Sequence, residues 1–514
     1  LIVLTMLLAL DGVRPRAKRL RLLWIGLAVV ALFLAGARLA WLASMASLPM
    51  EVSWSEAPAL VNALKLDAHM VLYGPPAKLD SYTYSPLLDL LHHALLTPLG
   101  AEVSLYAHRT LIVAEQLVAC ALLVWALGPA VARAGWSKTW MVASLVTVTF
   151  ASMLAAAIHP DHLVLVAFAT AVALLVGEAR LPRAVWWTAL VLVAPFAAAA
   201  KLTGVGVGVG LAVVFALERR WGALAVAVAS LGLAAMTVPF FNATLGAYSF
   251  YAIDVQRAHP IEWAKLATLA STAHVQITIG VAVLLAWARW LEPVPGLKVG
   301  DSDSVRVGLL TAVCAVASLP AWLKYAGRDN NLALLAVGAT CAGLLGIAAH
   351  VSRGGATIHP ALGPAAALLG LTILAPPISP FLGPARAAAC SDAATIERAV
   401  REDDQAGRHT LAMPSVARWI AAGHRDVPPD RIQSAIELFY AEAPAADLLF
   451  SHIEDGRYDS VVVMGEYLQR GSTPVGRFDG RLRAAIESRY TLAEPRDLVS
   501  SEGYRGALVF RRSH

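Results

Sequence analysis

The chain has 514 residues, of which 58% are hydrophobic and only 15% are charged. A water-soluble protein carries about 25% charged residues, so this composition excludes an ordinary soluble protein. The formal net charge of +5 is typical of Arg and Lys in the cytoplasmic loops of a membrane protein, and it gives no reason to expect a nucleic-acid partner.

Apolar runs long enough to cross a bilayer as helices recur along most of the chain. The first, 22–43, follows a basic stretch from Arg14 to Arg21, and positive charge before a first span keeps that end in the cytoplasm. We predict an all-α polytopic membrane protein with about eleven transmembrane helices. The remaining predicted spans are 109–127, 140–158, 163–176, 185–200, 202–217, 224–240, 275–288, 307–322, 332–349 and 361–375.

Every short loop that this count places on the inner side contains Arg or Lys. This distribution follows the positive-inside rule. We therefore expect a multi-pass protein of the bacterial inner membrane, with a cytoplasmic N-terminus and an extracytoplasmic C-terminus.

The first long polar stretch, residues 44–108, follows the first span on the predicted outer side and is called the first polar loop. It contains amphipathic helical runs, which we expect to lie at the membrane surface, and a Tyr-rich segment bounded by prolines. Glu51 and Glu56 stand a few residues after the span. Carboxylates held at a membrane surface indicate chemistry on a lipid-borne substrate.

Further ionisable residues stand at the predicted outer ends of later spans: Asp161, Lys201, Lys324 and Arg328. Ionisable groups at membrane depth usually face a cavity or a partner. However, Lys and Arg at span ends also extend to the interface, and an acid at a helix start is favoured by the helix dipole alone. The neighbours of the acid, His159 and His162, are candidates for metal ligands or for phosphate contacts. These alternatives stay open.

Four glycines from Gly204 to Gly210 alternate with valine inside a predicted span. The run lacks the Lys-Ser/Thr that follows a phosphate-binding loop. We therefore predict that it serves the close packing of helices.

Residues 381–514 differ in composition, because they are rich in Asp, Glu and Arg and contain no lysine. Short β-like runs at 409–413, 460–464 and 506–510 alternate with helical runs at 431–439 and 481–487. We predict two domains, a transmembrane domain over 1–380 and a small extracytoplasmic α/β domain over 381–514.

Several short motifs occur in a fixed order along the predicted outer face. The first polar loop contains Trp54-Ser-Glu56-Ala-Pro, Leu72-Tyr73-Gly74, Tyr82-Thr-Tyr84-Ser-Pro86-Leu87 and Pro98-Leu-Gly100, and Arg109 follows it. Later loops contain His159-Pro-Asp161, Lys201-Leu-Thr-Gly204 and the turn from Lys324 to Asn331. Together they resemble the motifs of the polytopic GT-C glycosyltransferases, which include protein mannosyltransferases and aminoarabinose transferases. His159 stands where that family usually has Arg.

The resemblance implies an enzyme that moves a sugar from a polyprenyl-phosphate donor to a lipid, glycan or protein acceptor outside the membrane, with inversion. Glu56 matches the acid of the family's first loop, which is usually Asp, and this match implies a general base; Glu51 is the alternative. By the same resemblance, Asp161 would orient the acceptor or hold a divalent cation, and metal dependence stays open. The residues implied in binding the donor and its phosphate are Lys201, Arg109, His159, His162, Tyr84, Lys324 and Arg328.

Two other classes of protein fit parts of the sequence. A secondary transporter would have repeats, broken helices and ionisable residues in mid-span, whereas here Glu115 is the exception among charges that cluster at span ends. A non-enzymatic membrane scaffold would explain the predicted C-terminal domain but not the acidic first polar loop. The predicted partners are therefore a polyprenyl-phosphate-linked sugar, an acceptor and membrane lipids.

Overall fold

The computed structural model describes residues 43–51, 56–133, 157–291, 303–352 and 384–513, with short gaps inside the first, fourth and last of these ranges. The basic N-terminal segment lies outside the described residues. So do the predicted span 361–375 and almost all of the predicted spans 22–43 and 140–158.

Eight helices in the described residues correspond to predicted spans and begin and end close to the predicted positions. They are Leu105–Arg133, Asp161–Val176, Arg183–Ala200, Val205–Leu217, Trp221–Leu245, Ala273–Leu291, Asp303–Leu323 and Ala333–Ser352. They form because uninterrupted apolar runs satisfy every backbone hydrogen bond internally only as helices.

Within the described residues, five helices are long and apolar enough to cross a membrane, and a sixth is added if the bent pair Lys265–Ser271 and Ala273–Val283 counts as one span. The two segments of that pair meet at 49°. Asp161–Val176 and Leu202–Leu217 are shorter apolar helices. The described part is thus a multi-helix membrane architecture, and the count of about eleven spans stays a prediction.

The glycine run packs as predicted. A Cβ atom on Gly206 would lie 2.7 Å from the Cβ of Ala317, and one on Gly208 would lie 2.6 Å from the Cβ of Ala194. Both distances are too short for any side chain, so glycine allows the helix Val205–Leu217 to approach two neighbouring helices closely.

The first polar loop contains two helices, Glu56–Asp67 and Leu87–Leu96. In the second, the buried residues Leu88, His92 and Leu96 recur every four positions and so lie on one face, as expected for an amphipathic helix. The first is buried within the protein along its length from Glu56 to Lys65.

The C-terminal region (residues 384–513) contains a four-stranded sheet in the order β1-β2-β6-β3. The strands are β1 Thr410–Met413, β2 Ser460–Met464, β3 Tyr490–Glu494 and β6 Ala507–Arg512, and a separate two-stranded ladder joins β4 Val499–Ser500 to β5 Gly503–Tyr504. β1 runs parallel to β2, whereas β6 is antiparallel to both of its neighbours.

Helices cover both faces of this sheet. Val461 and Val463 pack on one side with the helices Ile432–Tyr440, Asp447–Glu454 and Pro474–Arg489, while Val462 packs on the other side with Pro384–Gln405. Burial on both faces explains why β2 is a continuous apolar run. Strands β1, β2 and β6 were predicted, whereas β3 and the helix Pro384–Gln405 were not.

The C-terminal region packs directly against the first polar loop. Ser434 Oγ donates a hydrogen bond of 2.6 Å to the carbonyl oxygen of Ser81. The backbone N–H of Ala417 donates one of 3.0 Å to Glu51 Oε1. This contact brings the helix Ile432–Tyr440 close to the candidate site described below.

We expect Gly206→Val to destabilise the protein by about 1–3 kcal/mol, because the added side chain forces two packed helices apart. The matched control is Gly232→Val, since a Cβ there meets nothing within 4 Å. Thermal unfolding of the detergent-solubilised protein measures both. Equal midpoints for the two variants would contradict the packing role.

Candidate functional site

One end of each of three apolar helices lies at the same place. Asp161 begins the helix Asp161–Val176, and Lys201 follows the last residue of Arg183–Ala200 in extended conformation. Asn330 and Asn331 lie in the short turn that leads into Ala333–Ser352. The chain turns tightly after Lys201 and brings Gly204 close to the preceding helix. A Cβ at Gly204 would lie only 2.3 Å from the carbonyl oxygen of Ala197, so the turn requires glycine.

Asp161 is the centre of this convergence. Its Oδ1 accepts a hydrogen bond of 2.7 Å from Lys201 Nζ, and its Oδ2 accepts bonds from His159 Nδ1, at 2.8 Å, and from the amide of Asn330. Lys201 Nζ also donates to Asn331 Oδ1 at 2.9 Å. Asp161 is 8% and Lys201 9% exposed, so the pair is nearly removed from water.

Tyr84, from the first polar loop, completes the cluster. Its hydroxyl lies 2.8 Å from His159 Nε2, and the two rings meet edge to face with centroids 4.8 Å apart. Lys201 Nζ lies 5.8 Å from the centre of the Tyr84 ring. Tyr84 is partly exposed, whereas His159 is buried. We call these residues the Asp161 group: Tyr84, His159, Asp161, Lys201, Asn330 and Asn331.

Burial determines the charge states of the two ring side chains. It lowers the pKa of His159, an effect that Asp161 partly offsets and that the positive charges of Lys201 and Arg328 reinforce. Burial also raises the pKa of Tyr84 well above its ordinary value. Both side chains are therefore neutral at neutral pH.

Two further cations lie beside the group. Arg328 is exposed and stands two residues before Asn330, and its side chain has no hydrogen bond or ion pair to another described residue. Lys324 Nζ has, among the described side chains, one long hydrogen bond of 3.4 Å to Gln256 Oε1. Burial lowers the pKa of Lys324, and the negative charge of Glu437 opposes this effect.

Glu56 and Arg109, both predicted in the site, form a buried pair. The guanidinium donates two hydrogen bonds to the carboxylate, from Nε at 2.8 Å and from Nη2 at 2.7 Å, and both residues are 0% exposed. The backbone N–H of Ile158 also donates to Glu56 Oε1 at 3.2 Å. The pair therefore joins the first polar loop to the segment that ends at Asp161.

Two predicted residues have contacts of a different kind. Glu51 lies against the C-terminal region, where it accepts the hydrogen bond from Ala417. His162 is fully buried, and its Nε2 lies 3.2 Å from the carbonyl oxygen of Ala157. Among the described residues, no group of three or more His, Cys, Asp or Glu side chains is placed to hold a metal ion.

Three participants were not predicted as site residues. Asn330 and Asn331 lie in the turn from Lys324 to Asn331, which is one of the motifs of the family resemblance. That motif could have identified their side-chain amides as members of the site. Glu437 lies far away in sequence, on the helix Ile432–Tyr440, and its Oε2 is 3.0 Å from His259 Nε2. No pattern in the sequence connects it with Lys324.

Over most of its length the chain has the fold of two solved structures. It is similar to ArnT, an aminoarabinose transferase, from Cupriavidus metallidurans in two crystal structures, one bound to undecaprenyl phosphate and one in the apo state. The TM-scores are 0.54 and 0.51 at 12% identity; the matches cover 94% and 96% of this chain and 98% of each ArnT chain. No known family profile and no curated protein sequence matches the chain.

At 12% identity, this likeness establishes the fold but not the activity. The resemblance predicted from the outer-face motifs is confirmed at the level of fold.

We expect Glu56→Gln to lower the free energy of unfolding by about 3–5 kcal/mol, because it leaves the Arg109 guanidinium buried without a counter-charge. Thermal unfolding in detergent measures the loss. The control is Glu178→Gln, which breaks an ion pair with Arg220 in which Glu178 is 43% exposed and should change stability by at most about 1 kcal/mol. A wild-type midpoint for Glu56→Gln would show that the pair does not stabilise the fold.

Proposed function

We propose that the chain is a membrane glycosyltransferase, which takes a sugar from a polyprenyl-phosphate donor and attaches it with inversion to an acceptor outside the membrane. The observation that carries this proposal is the set of cations around the Asp161 group. Lys201 is neutralised by Asp161, but Lys324 and Arg328 have no carboxylate within ion-pair distance among the described residues.

Two cations without an ion-pair partner among the described residues favour an anionic ligand. A phosphate group accepts charge-assisted hydrogen bonds from Lys and Arg, which are stronger than neutral ones. In this proposal Lys324 and Arg328 bind the donor phosphate, and Lys201 stabilises the charge that develops on it as the sugar leaves. ArnT, whose fold the chain shares, is bound to undecaprenyl phosphate in one of the two crystal structures.

The carboxylates then have different roles. Asp161 holds Lys201 and His159 in place through hydrogen bonds of 2.7 and 2.8 Å. The resemblance assigned Glu56 as general base, but its two-point pairing with Arg109 and complete burial favour a positioning role for both residues. We propose that this pair fixes the segment that carries His159 and Asp161.

The topology is part of the same proposal. An arrangement of about eleven spans with a cytoplasmic N-terminus places the Asp161 group and the C-terminal region on the outer side of an inner membrane. A lipid-linked donor would then reach the site from the outer leaflet. The domain division at residue 380 and the identity of the acceptor, whether lipid, glycan or protein, belong to this proposal too.

The transporter alternative is disfavoured by where the charges lie. The Asp161 group occupies helix ends and the turns beside them. The mid-span exception, Glu115, is paired through Oε1 with His92 Nε2 at 3.0 Å. A transport pathway would instead place ionisable groups along the spans.

The test is the affinity of the purified full chain in lipid nanodiscs for undecaprenyl phosphate. We expect Lys324→Gln and Arg328→Gln each to raise the Kd about tenfold or more, because each removes one charge-assisted hydrogen bond worth about 1.5–3 kcal/mol. Membranes that contain the chain should also transfer radiolabelled sugar from undecaprenyl-phosphate donors.

The matched control is Lys78→Gln, which removes an exposed lysine of the first polar loop and should leave the Kd unchanged. If the wild-type chain does not bind undecaprenyl phosphate, or if all three variants weaken binding equally, the phosphate site is not where we place it.

A further inference from the structure

We infer that Tyr84, His159 and Asp161 form a proton relay, in which His159 receives the proton that the acceptor hydroxyl loses through Tyr84. This inference rests on the proposed function and names the group that serves as its base. It gives His159 a catalytic role in place of the phosphate contact predicted from the sequence.

The hydrogen bonds determine which ring nitrogen carries the proton. Two groups lie near His159 Nδ1: the Asp161 carboxylate oxygen Oδ2, at 2.8 Å, and the backbone N–H of Asp161, at 3.4 Å. The carboxylate only accepts hydrogen bonds and makes the shorter contact, so we assign the proton to Nδ1, which donates it to Asp161 Oδ2. His159 Nε2 of the neutral ring is then unprotonated and accepts the hydrogen bond of 2.8 Å from the Tyr84 hydroxyl. A carboxylate that orients an imidazole in this way also stabilises the imidazolium that forms.

The two carboxylates considered for this role, Asp161 and Glu56, are poorer bases than His159. Asp161 accepts hydrogen bonds from Lys201, His159 and Asn330, and each of them stabilises its ionised form. Glu56 is held on both oxygens by Arg109. His159 is the neutral group whose lone pair is directed at a hydroxyl, and that hydroxyl belongs to the partly exposed member of the group, Tyr84.

The step is balanced in atoms and charge. The acceptor oxygen forms a bond to the anomeric carbon, while the bond from that carbon to the phosphate oxygen breaks and its electron pair stays on the phosphate. The acceptor O–H proton moves to the Tyr84 oxygen as the Tyr84 proton moves to His159 Nε2. The products are the glycoside, the polyprenyl phosphate and an imidazolium paired with Asp161.

The surroundings of His159 set the pH at which it acts. The titratable or charged groups that face it from its own segment and from the neighbouring elements are Tyr84, Asp161, His162, Lys201 and Arg328. Burial and the two cations lower the pKa of His159 below that of an ordinary histidine, about 6.5. A base works in its unprotonated form, so the rate should fall only as the pH drops through this lowered pKa.

The experiment compares kcat as a function of pH, in membranes supplied with radiolabelled undecaprenyl-phosphate pentose and hexose donors, for the wild-type chain and for His159→Gln and Tyr84→Phe. We expect both variants to lower kcat by about 100-fold or more, the usual contribution of a general base. The fall in kcat at low pH, called the acidic limb of the profile, should also be absent in His159→Gln. The Kd for undecaprenyl phosphate should stay within about twofold of wild type in both.

The matched control is His92→Gln, which removes a fully buried imidazole bonded to His108 and Glu115. It should keep the acidic limb even if it lowers the yield of folded protein. A His159→Gln variant that keeps the limb, or that raises the Kd while kcat is unchanged, would overturn the relay and restore the phosphate contact.

The two proposals fail in different ways. If the wild-type chain turns over none of the donors, the glycosyltransferase proposal fails and the relay with it. If the wild-type chain transfers sugar and the acidic limb is the same in His159→Gln, only the relay fails.

Discussion

Burying a charged side chain costs several kcal/mol unless a partner of opposite charge and good hydrogen bonds accompany it. This cost constrains how the described residues can pack. Glu56 must meet Arg109, and Asp161 must meet Lys201, so the first polar loop and the ends of several apolar helices have to converge. The close packing at Gly206 and the tight turn at Gly204 allow the helices to approach near enough for this.

These two buried pairs differ in whether they also make hydrogen bonds to neighbouring side chains. The Glu56–Arg109 pair is closed, since both residues are fully buried and held at two points. The Asp161–Lys201 pair is open to its neighbours, because it shares hydrogen bonds with His159 and Asn331. One pair therefore stabilises the scaffold, and the other holds together a cluster that contains a neutral imidazole and a phenol, with additional cations beside it.

Much of the helical fold could be predicted, because long apolar runs specify helices. The ionisable members of the Asp161 group were also recognisable as candidates, since ionisable groups at membrane depth are costly. Which charged residues pair with each other could not be predicted. The partner of Glu56, Arg109, lies 53 residues away in sequence, and only the packing of the helices brings the two together. The pairing of His92 with His108 and Glu115 is another contact that only the packed helices create. Strand β3 contains a register shift after Leu492 that obscures its pattern.

The most direct measurement is an experimental structure of the full chain with undecaprenyl phosphate in a lipid nanodisc. We expect phosphate density within hydrogen-bond distance, about 3 Å, of the Lys324 or Arg328 side chain and next to the Asp161 group. Density on another face of the protein, with Lys324 and Arg328 unoccupied, would contradict the assignment of this cluster as the donor site.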